Sequence, residues 1–418
     1  MIKQINKMSI FLNLILMLLI TTSPGCQKAE SPNPDHPVLY REFASVSEFN
    51  HCWDSLAALT DSTGRIFAMN QLWDSLKVNK QIPFCLGDTA VFMYKGASEP
   101  RWAGDFNGWN PEGTGWIGQK IGTTNFWRLM KRFPEDARLD YKIVAGSSWI
   151  LDPANPLVQY SGFGPNSMLA MPLWVYPQET IASDQVAKGS LSENKLITSS
   201  TQNLGYSLNY KVYVPYNYEQ TDNCPVIYVT DGHEYSDNRL GAMVTVLDNL
   251  IFQGKIRPVI AVFVDPRDPV SGNNRRMDEY RANEHFADFL ADELSVAIDE
   301  AYKTNAAPTS RAIMGTSLGG WNAAFVGLSR SDRFNLTAIH SPAFDQAIIE
   351  NFSNTALLPL KVYMSTGTIN DTQVRARQMK AIMESKAYPL LYREVNEGHS
   401  WGNWRALIDE PLIYFFGI

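Results

Sequence analysis

The chain is poor in cysteine and histidine and has no excess of basic residues. Its 418 residues include four cysteines and six histidines. The histidines are scattered along the chain, without the close spacing of a metal site. The formal net charge is −7, and the lysines and arginines form no cluster of the kind that binds nucleic-acid phosphates. The composition therefore argues against a metal site and against a nucleic-acid partner.

The N-terminus carries an apolar run that is too short to span a bilayer comfortably. Residues 10–20 are mostly apolar, Lys3 and Lys7 precede them, and Cys26 follows a small residue at the distance expected of a cleavage site. This segment resembles a bacterial lipoprotein signal with a relaxed lipobox. The resemblance implies that residues 1–26 are a signal peptide, that Cys26 is lipidated, and that the exported protein is anchored to the periplasmic or cell-surface side of the envelope. A plain secretory peptide cleaved nearby is the alternative.

Three further cysteines are present, Cys52, Cys85 and Cys224. Their spacing is not that of a metal site, and one disulfide among them is possible in an oxidising compartment. The sequence does not indicate which pair would form it.

The first half of the chain contains regions with different residue patterns. Residues 27–80 begin with a polar, proline-rich tether and continue with apolar residues at helical spacing, which predict two helices. Residues 81–175 carry short apolar runs separated by Gly, Pro, Asn and Asp turns. This second pattern predicts a small all-β sandwich.

The motifs within residues 81–175 follow the order of a known kind of sandwich. AVFMYKGASEPRWAGDFNGWNP is followed by FWRLMKRFPEDARLDYKIV and then by WILDPANP. This order resembles the early-set, immunoglobulin-like modules of the glycogen-binding and isoamylase-N type. In some members of that family exposed tryptophans bind α-glucans, and aromatic faces suit the apolar faces of sugars. Four tryptophans are candidates for such a platform or, alternatively, for core and interface positions: Trp102, Trp109, Trp116 and Trp149.

The second half of the chain alternates between strands and helices. Residues 176–205 are polar and without long periodicity, and we predict a linker with an edge strand there. From residue 206 to 418, apolar strands alternate with helical patterns, most clearly in EHFADFLADELSVAIDEAY. This alternation predicts a doubly wound α/β sheet.

Residues Gly315–Gly319 spell G-x-S-x-G, the pattern of a nucleophile elbow. Residues 312–314 before it predict the end of a buried strand, and residues 321–329 after it predict a helix. A serine on such a tight turn projects its hydroxyl off the end of the sheet. Ser317 is therefore the predicted nucleophile of an α/β-hydrolase, with an ordinary glycine-rich turn as the alternative.

The positions of the remaining catalytic groups follow from the chain order of α/β-hydrolases, which is serine, acid, histidine. His399 lies in a loop after the last predicted strand and before the terminal helix, so it is the predicted base. Asp371 follows the strand LKVYMSTG, where a carboxylate would orient the imidazole. Asp332 and Asp345 compete for this role, but Asp332 begins a loop and Asp345 follows an earlier strand.

An oxyanion hole should use the backbone N–H of Leu318 and a second donor from the loop after an early strand, near Gly232, His233 or Glu234. Three residues close in sequence to the predicted catalytic groups are candidates for substrate contacts: Trp321, Trp401 and His340. Core packing is the alternative for the two tryptophans.

Four motifs in the second half carry a family resemblance: YVTDGHEY, RRMDEYRANEHFADFLADEL, GTSLGG and EGHSWGNWR. With them, residues 206–418 resemble the esterase-D-like α/β-hydrolases. That superfamily includes the feruloyl and acetyl-xylan esterases of carbohydrate esterase family 1 and the enterochelin esterases. The resemblance implies ester hydrolysis by a Ser-His-Asp triad that needs no metal or organic cofactor. The DGHEY segment replaces the H-G-type oxyanion loop of many polysaccharide esterases and leans toward the siderophore branch.

The expected location favours a polymer as the substrate. A lipid-anchored esterase outside the cytoplasm meets extracellular or periplasmic polymers, and a module similar to carbohydrate-binding modules fits that setting. Removal of feruloyl or acetyl groups from plant polysaccharide is the first expectation. Hydrolysis of a siderophore trilactone is the alternative, and acyl transfer and non-catalytic glycan binding also stay open. The sequence leaves the natural ester and the oligomeric state undetermined.

Overall fold

The computed structural model describes residues 42–418. The predicted signal peptide, its lipidation site Cys26 and the start of the tether lie outside the described residues. Two compact units are present: one contains the helical pair together with residues 121–124, and the other comprises residues 80–120 and 125–418. No helix in the described part of the chain is both long enough and apolar enough to cross a membrane.

Two helices occupy the region in which the apolar spacing predicts them. Helix α1 spans Val46–Ala57 and helix α2 spans Ser62–Val78. The Ser45 hydroxyl accepts a hydrogen bond from the N–H of Glu48 at the start of α1, and the Asp61 carboxylate accepts from two N–H groups at the start of α2. Both caps satisfy donors that a helix start leaves free.

The strand-rich region consists of two antiparallel sheets. Its strands are β1 Phe84–Leu86, β2 Thr89–Lys95, β3 Pro100–Gly104, β4 Gln119–Lys120, β5 Phe126–Arg132, β6 Arg138–Ala145, β7 Ser148–Ile150, β8 Val158–Ser161 and β9 Gly164–Ala170. One sheet has the order β1-β2-β5-β4, and the other has the order β3-β6-β9-β8 with β7 paired to β6. Phe92 from the first sheet shares one core with Trp102 and Leu169 from the second. We refer to residues 84–170 as the all-β region.

A nine-stranded sheet organises the second half of the chain. Its strands are β10 Ser190–Leu191, β11 Lys195–Thr198, β12 Ser207–Val214, β13 Val226–Val229, β14 Ile260–Asp265, β15 Arg311–Thr316, β16 Leu336–His340, β17 Lys361–Gly367 and β18 Leu390–Val395. The order is β10-β12-β14-β13-β15-β16-β17-β18, and β11 pairs with β12. Strands β13 to β18 are parallel, whereas β12 is antiparallel to β14. Strands β10 and β11 lie inside residues 176–205, the segment for which the sequence predicts a linker with an edge strand.

Helices cover both faces of this sheet. They are α3 Gly232–Tyr235, α4 Met243–Phe252, α5 Arg276–Tyr280, α6 Glu284–Asp288, α7 Ser295–Ala301, α8 Leu318–Ser329, α9 Gln346–Asn354, α10 Gln373–Ser385, α11 Trp401–Arg405 and α12 Asp409–Phe416. A π-helical turn at Phe289–Leu294 joins α6 to α7. Successive residues of β13 enter opposite cores: Tyr228 packs with α8, and Ile227 packs with α4 and α12. Burial on both faces explains why these strands are continuously apolar.

Candidate active site

Ser317 occupies a strained turn between β15 and α8. Its backbone angles are φ 57° and ψ −117°, which a non-glycine residue rarely adopts. The surrounding chain fixes this turn, because the Ser317 N–H donates to the His340 carbonyl at 2.9 Å and the Ser317 carbonyl accepts from Trp321 and Ala343. A Cβ on Gly319 would lie 2.7 Å from the Thr230 hydroxyl oxygen, so this position has no room for a side chain. The G-x-S-x-G pattern is therefore a steric requirement of the turn.

The loop between β18 and α11 brings His399 to Ser317. His399 Nε2 lies 2.9 Å from Ser317 Oγ, within hydrogen-bond distance. The imidazole packs edge-on against the Trp404 ring, with 5.0 Å between ring centroids. These contacts orient the imidazole so that Nε2 is directed at the serine hydroxyl.

Asp371 follows β17 and contacts the other nitrogen of His399. Its Oδ1 lies 2.6 Å from His399 Nδ1. Its Oδ2 accepts hydrogen bonds from the Ser341 hydroxyl, at 2.6 Å, and from the Gly367 N–H. Burial alone would raise the pKa of Asp371, but its hydrogen bonds, above all that with His399, hold this pKa below its usual value. Asp371 is thus suited to remain an anion that orients and stabilises an imidazolium.

The two competing acids lie elsewhere. Asp345 accepts the Ile348 N–H at the start of α9 and pairs with Arg281. Asp332 pairs with Arg330 after the end of α8. Neither contacts His399, so the geometry favours Asp371.

The candidate oxyanion donors lie at the carboxyl edge of the sheet. Leu318 is the first residue of α8, where an N–H has no acceptor within the helix. Gly232 and His233 begin α3 after β13, and His233 lines the same cavity as Ser317. Gly232 packs against the backbone of Phe263, where a Cβ would lie 2.5 Å from the Phe263 Cα.

Arg276 joins the two strand ends that carry these groups, a role that the sequence analysis did not assign. Its guanidinium contacts both Asp231 carboxylate oxygens, at 2.9 and 3.0 Å, and donates to the Thr316 carbonyl at 3.2 Å. Burial raises the pKa of Asp231 to about 6, although Arg276 acts in the opposite direction. Arg276 thereby ties the turn before α3 to the residue that precedes Ser317.

Ser317 and His399 open onto a cavity of about 850 Å³. The second half of the chain contributes residues such as Arg276 and Trp401 to its lining. The all-β region contributes the rest, namely Asp105, Trp109, Asp140, Lys142, Trp149, Ser161, Gly162, Phe163 and Asn166. Trp149 is 46% exposed and Phe163 is fully exposed. The all-β region therefore adds exposed aromatic side chains to the cavity lining, together with charged residues such as Asp140 and Lys142.

The four tryptophans considered as a sugar platform divide into two groups. Trp109 and Trp149 line the cavity. Trp102 is fully buried in the core of the all-β region, and Trp116 stacks on Phe106 with 4.1 Å between ring centroids. Only the first pair is positioned to meet a ligand.

Two of the three predicted substrate contacts are corrected by the structure. Trp321 is 2% exposed in the core and stacks on Phe325. His340 is fully buried on β16, its Nδ1 lies 2.9 Å from the Ser365 hydroxyl, and burial lowers its pKa to about 3. Neither residue lines the cavity. Trp401 does line it, although it is also only 2% exposed and packs in a core cluster, and its indole donates to Glu234 at 3.0 Å.

Cys85 and Cys224 are free thiols, so they do not form a disulfide with each other or with Cys52. Within residues 42–418, no three His, Cys, Asp or Glu side chains are grouped as metal ligands would be.

The fold and this arrangement define an α/β-hydrolase. The family model described as "Putative esterase" matches residues 201–415, more than half of the chain. The chain belongs to that family and is an ester hydrolase.

Two relatives match parts of the sequence. The uncharacterised protein YjcH of Bacillus subtilis (strain 168) is 25% identical over 237 residues, which are 54% of this chain and 96% of that protein. The endo-1,4-beta-xylanase/feruloyl esterase of Xylanibacter ruminicola is 31% identical over 148 residues, which are 33% of this chain and 20% of that protein.

Solved structures of enterobactin esterases share the fold. The enzyme of Shigella flexneri, crystallised in the presence of enterobactin, has a TM-score of 0.64 and 17% identity, covering 78% of this chain and 92% of its own. The ferric enterobactin esterase of Salmonella typhimurium has a TM-score of 0.65 and 16% identity, covering 78% and 93%.

Proposed function

We propose that this ester hydrolase works through Ser317 as nucleophile, His399 as general base and Asp371 as the residue that orients the base. Ser317 Oγ attacks the ester carbonyl while His399 Nε2 accepts its proton, and the same nitrogen then protonates the leaving alcohol. Water deprotonated by His399 releases the acid and restores the serine. The 2.9 Å and 2.6 Å contacts of His399 support these roles.

The negative charge of the tetrahedral intermediate needs donors at the same edge of the sheet. We propose the N–H of Leu318 and an N–H of Gly232 or His233 for this oxyanion hole. The position of Leu318 at the start of the 12-residue helix α8 supports this assignment, since both the free N–H and the helix dipole favour an anion there.

The substrate we propose is a feruloyl-type ester on plant polysaccharide. The observation that carries this proposal is the 850 Å³ cavity whose wall includes Trp109, Trp149 and Phe163. An acetyl group would fill a small part of that volume. An aromatic acyl group joined to a sugar could contact lining residues of both the all-β region and the second half of the chain. The partial match to an endo-1,4-beta-xylanase/feruloyl esterase supports the same substrate class.

A siderophore trilactone is the second candidate. The observation that favours it is that the structural likeness to enterobactin esterases extends over 78% of this chain, beyond the family match at residues 201–415. A trilactone is also large enough to need a cavity of this size.

Location and module type are further proposals from the sequence. We propose that the chain is exported and anchored through Cys26. We also propose that the all-β region is an early-set module related to glycogen-binding modules, and that it holds the sugar side of the substrate. The exposed Trp149 ring supports a sugar contact.

A panel of four esters tests the proposed function. Methyl ferulate, acetylated xylan, 4-nitrophenyl acetate and a ferric catecholate trilactone are incubated with wild type and with Ser317→Ala. We expect turnover of the ferulate that disappears in the variant. Turnover of only the trilactone would select the siderophore candidate. Absence of all turnover, or activity that persists in Ser317→Ala, would refute the catalytic assignment and favour glycan binding.

A separate variant tests the role of the cavity-lining residues of the all-β region. Trp149→Ala should raise the KM for methyl ferulate while leaving kcat for 4-nitrophenyl acetate unchanged, because the small ester does not reach the wall. Tyr216→Ala is the matched control, since Tyr216 is also 46% exposed but does not line this cavity. An equal effect of both variants would contradict the proposed contact.

A further inference from the structure

The loop that carries His399 is in contact with strand β6 of the all-β region. The Arg138 N–H donates to the Asn396 carbonyl at 3.2 Å. The Arg138 guanidinium donates to the Ser400 hydroxyl at 3.1 Å. Arg138 thus contacts the chain on both sides of His399, although its own side chain is only 1% exposed and does not line the cavity.

Acidic residues surround the Arg138 guanidinium. It forms an ion pair with Asp140 on the same strand, and its Nη1 lies 3.9 Å from Oε2 of Glu397, two residues before His399. The other oxygen of Glu397 accepts a hydrogen bond from the Trp174 indole at 3.2 Å. The arginine therefore links a buried carboxylate of the all-β region to a buried carboxylate of the histidine loop.

Asp105 adds a second contact between the two regions. Its carboxylate accepts the Asp140 N–H at 2.8 Å, and its carbonyl accepts the Asn370 side chain at 2.8 Å, one residue before Asp371. A Cβ on Gly398 would lie 2.6 Å from Asp105 Oδ2. The carboxylate thus packs directly on the backbone of the residue before His399.

The glycines around His399 reflect this close approach. The Arg138 guanidinium occupies the space that a Cβ on Gly402 would need, just as Asp105 occupies that of Gly398. The pattern E-G-H-S-W-G at residues 397–402 is therefore shaped by side chains of the all-β region.

We propose that Arg138, supported by Asp105 and Asp140, is a positioning residue that holds the His399 loop against Ser317. The all-β region is then part of the catalytic apparatus as well as a wall of the substrate cavity. This inference rests on the proposed role of His399 as the base.

The arrangement is more specific than interface packing requires. Buried ion pairs are costly to desolvate, and apolar residues of similar volume often stabilise an interface equally well. A charged, directional contact, however, fixes the loop in one position. Misplacement of a catalytic group by about 1 Å can lower the rate on the order of 100-fold.

The test compares two buried arginines in the full-length protein. Arg138→Ala removes the proposed contact. Arg311→Ala is the matched control, because Arg311 is fully buried and pairs with Asp299 but lies at the end of β15 away from Ser317. Thermal melting confirms folding of both variants, and kcat and KM are measured with 4-nitrophenyl acetate and methyl ferulate.

A fluorophosphonate provides a second readout that does not depend on the natural substrate. Ser317 Oγ forms a bond to phosphorus, fluoride leaves, and His399 accepts the serine proton. The labelling rate, measured by intact mass, therefore reports the serine–histidine pair directly.

We expect Arg138→Ala to lower kcat and the labelling rate by roughly 10- to 100-fold, with little change in KM, because the base is displaced while the cavity remains. Arg311→Ala should lose thermal stability but keep kcat close to wild type. Arg138→Lys, which restores a cation with fewer donors, should recover part of the rate.

Three results of the comparison between Arg138→Ala and Arg311→Ala would overturn the inference. Unchanged kcat in Arg138→Ala would exclude a positioning role, as would an equal loss in Arg311→Ala or a change confined to KM. A wild type that is not labelled at Ser317 would refute the proposed function itself, and the inference would fall with it. Normal wild-type labelling therefore separates the two failures.

A substitution of the residue that faces the Arg138 guanidinium covers the case in which Arg138→Ala does not fold. Gly402→Ala places a methyl group where the guanidinium lies and should lower kcat in the same way. An unchanged kcat in folded Gly402→Ala would overturn the inference even if Arg138→Ala does not fold. Where Arg138→Ala folds, the clash is absent in the double variant, and its rate should be no lower than that of Arg138→Ala alone. Multiplication of the two effects would show that the residues act independently and would overturn the inference.

Discussion

The two segments that meet at the proposed catalytic centre are held in place by different means. The Ser317 turn is fixed by its neighbours in the chain and by the adjacent strand, through bonds to Trp321, His340 and Ala343. The His399 loop is held in part by Arg138, whose contact with Ser400 joins residues 262 positions apart. The proposed nucleophile thus depends mainly on local backbone geometry, whereas the proposed base depends on contacts with another region.

This difference predicts which of the two segments a given substitution displaces. A change in the all-β region should displace the base before it alters the serine turn. A change within G-x-S-x-G should alter the serine whatever the all-β region does. The following substitutions, ordered by expected effect, test this contrast.

The largest losses should come from the two groups proposed to exchange the proton. Ser317→Ala and His399→Ala should each lower kcat for 4-nitrophenyl acetate on the order of 10⁴- to 10⁶-fold, and the double variant should be no worse, because the two groups act as one unit. Exposed His285 provides the control, since His285→Ala should retain full activity. Multiplicative losses in the double variant would contradict a shared mechanism.

Asp371→Asn should have the next largest effect. The amide cannot stabilise an imidazolium as a carboxylate does and favours the wrong histidine tautomer, so we expect a loss of about 10⁴-fold in kcat. Asp345→Asn is the comparison, because Asp345 caps α9 and should affect stability by about 1 kcal/mol or less. Steady-state kinetics and thermal melting separate the two, and similar kcat losses would argue against Asp371 as the orienting acid.

Arg276→Met tests a tether between the serine turn and a distant part of the chain. It removes the guanidinium from the Thr316 carbonyl and leaves Asp231 buried without its partner, which should destabilise the protein by about 3–5 kcal/mol. Arg275→Met is the control, since the neighbouring arginine pairs with Asp268 instead. Chemical denaturation measures the difference. Equal stabilities would mean that the turn needs no support beyond its local bonds.

The sequence predicts the catalytic trio for physical reasons. The Ser317 turn imposes a local steric pattern, and the chain order of a parallel sheet places Asp371 and His399 after later strands at the same edge. The doubly wound sheet is predictable because its strands are apolar on both faces. The assignment of roles to this trio stays a prediction until the variants are measured.

Other parts of the site cannot be predicted from a sequence pattern. Proximity to Ser317 in sequence suggested Trp321 and His340 as substrate contacts. Their side chains, on helix α8 and strand β16, are instead buried in the core. The contact of Arg138 with the histidine loop depends on how two regions dock, which no spacing reveals. The sequence did contain one sign of this contact, the two glycines around His399. Their presence is explained only by the opposing side chains, which occupy the space that a Cβ would need.

The smallest predicted effect concerns pH and again separates the two segments. Burial, only partly offset by Arg138 and Trp174, raises the pKa of Glu397 to about 7, with Asp140 and Asp136 adding to the rise. A raised carboxyl pKa means that the folded protein binds more protons than the unfolded chain, so this contribution to stability is present below about pH 4.5 and is lost as the pH rises through about 7. Protection against hydrogen exchange, corrected for intrinsic rates, should therefore decrease between about pH 4.5 and 7 more at residues 396–402 than at residues 315–322. Glu397→Gln, which keeps the shape but cannot ionise, should reduce that decrease, whereas an equal decrease in both segments would show that the histidine loop is not held by this ionisable cluster.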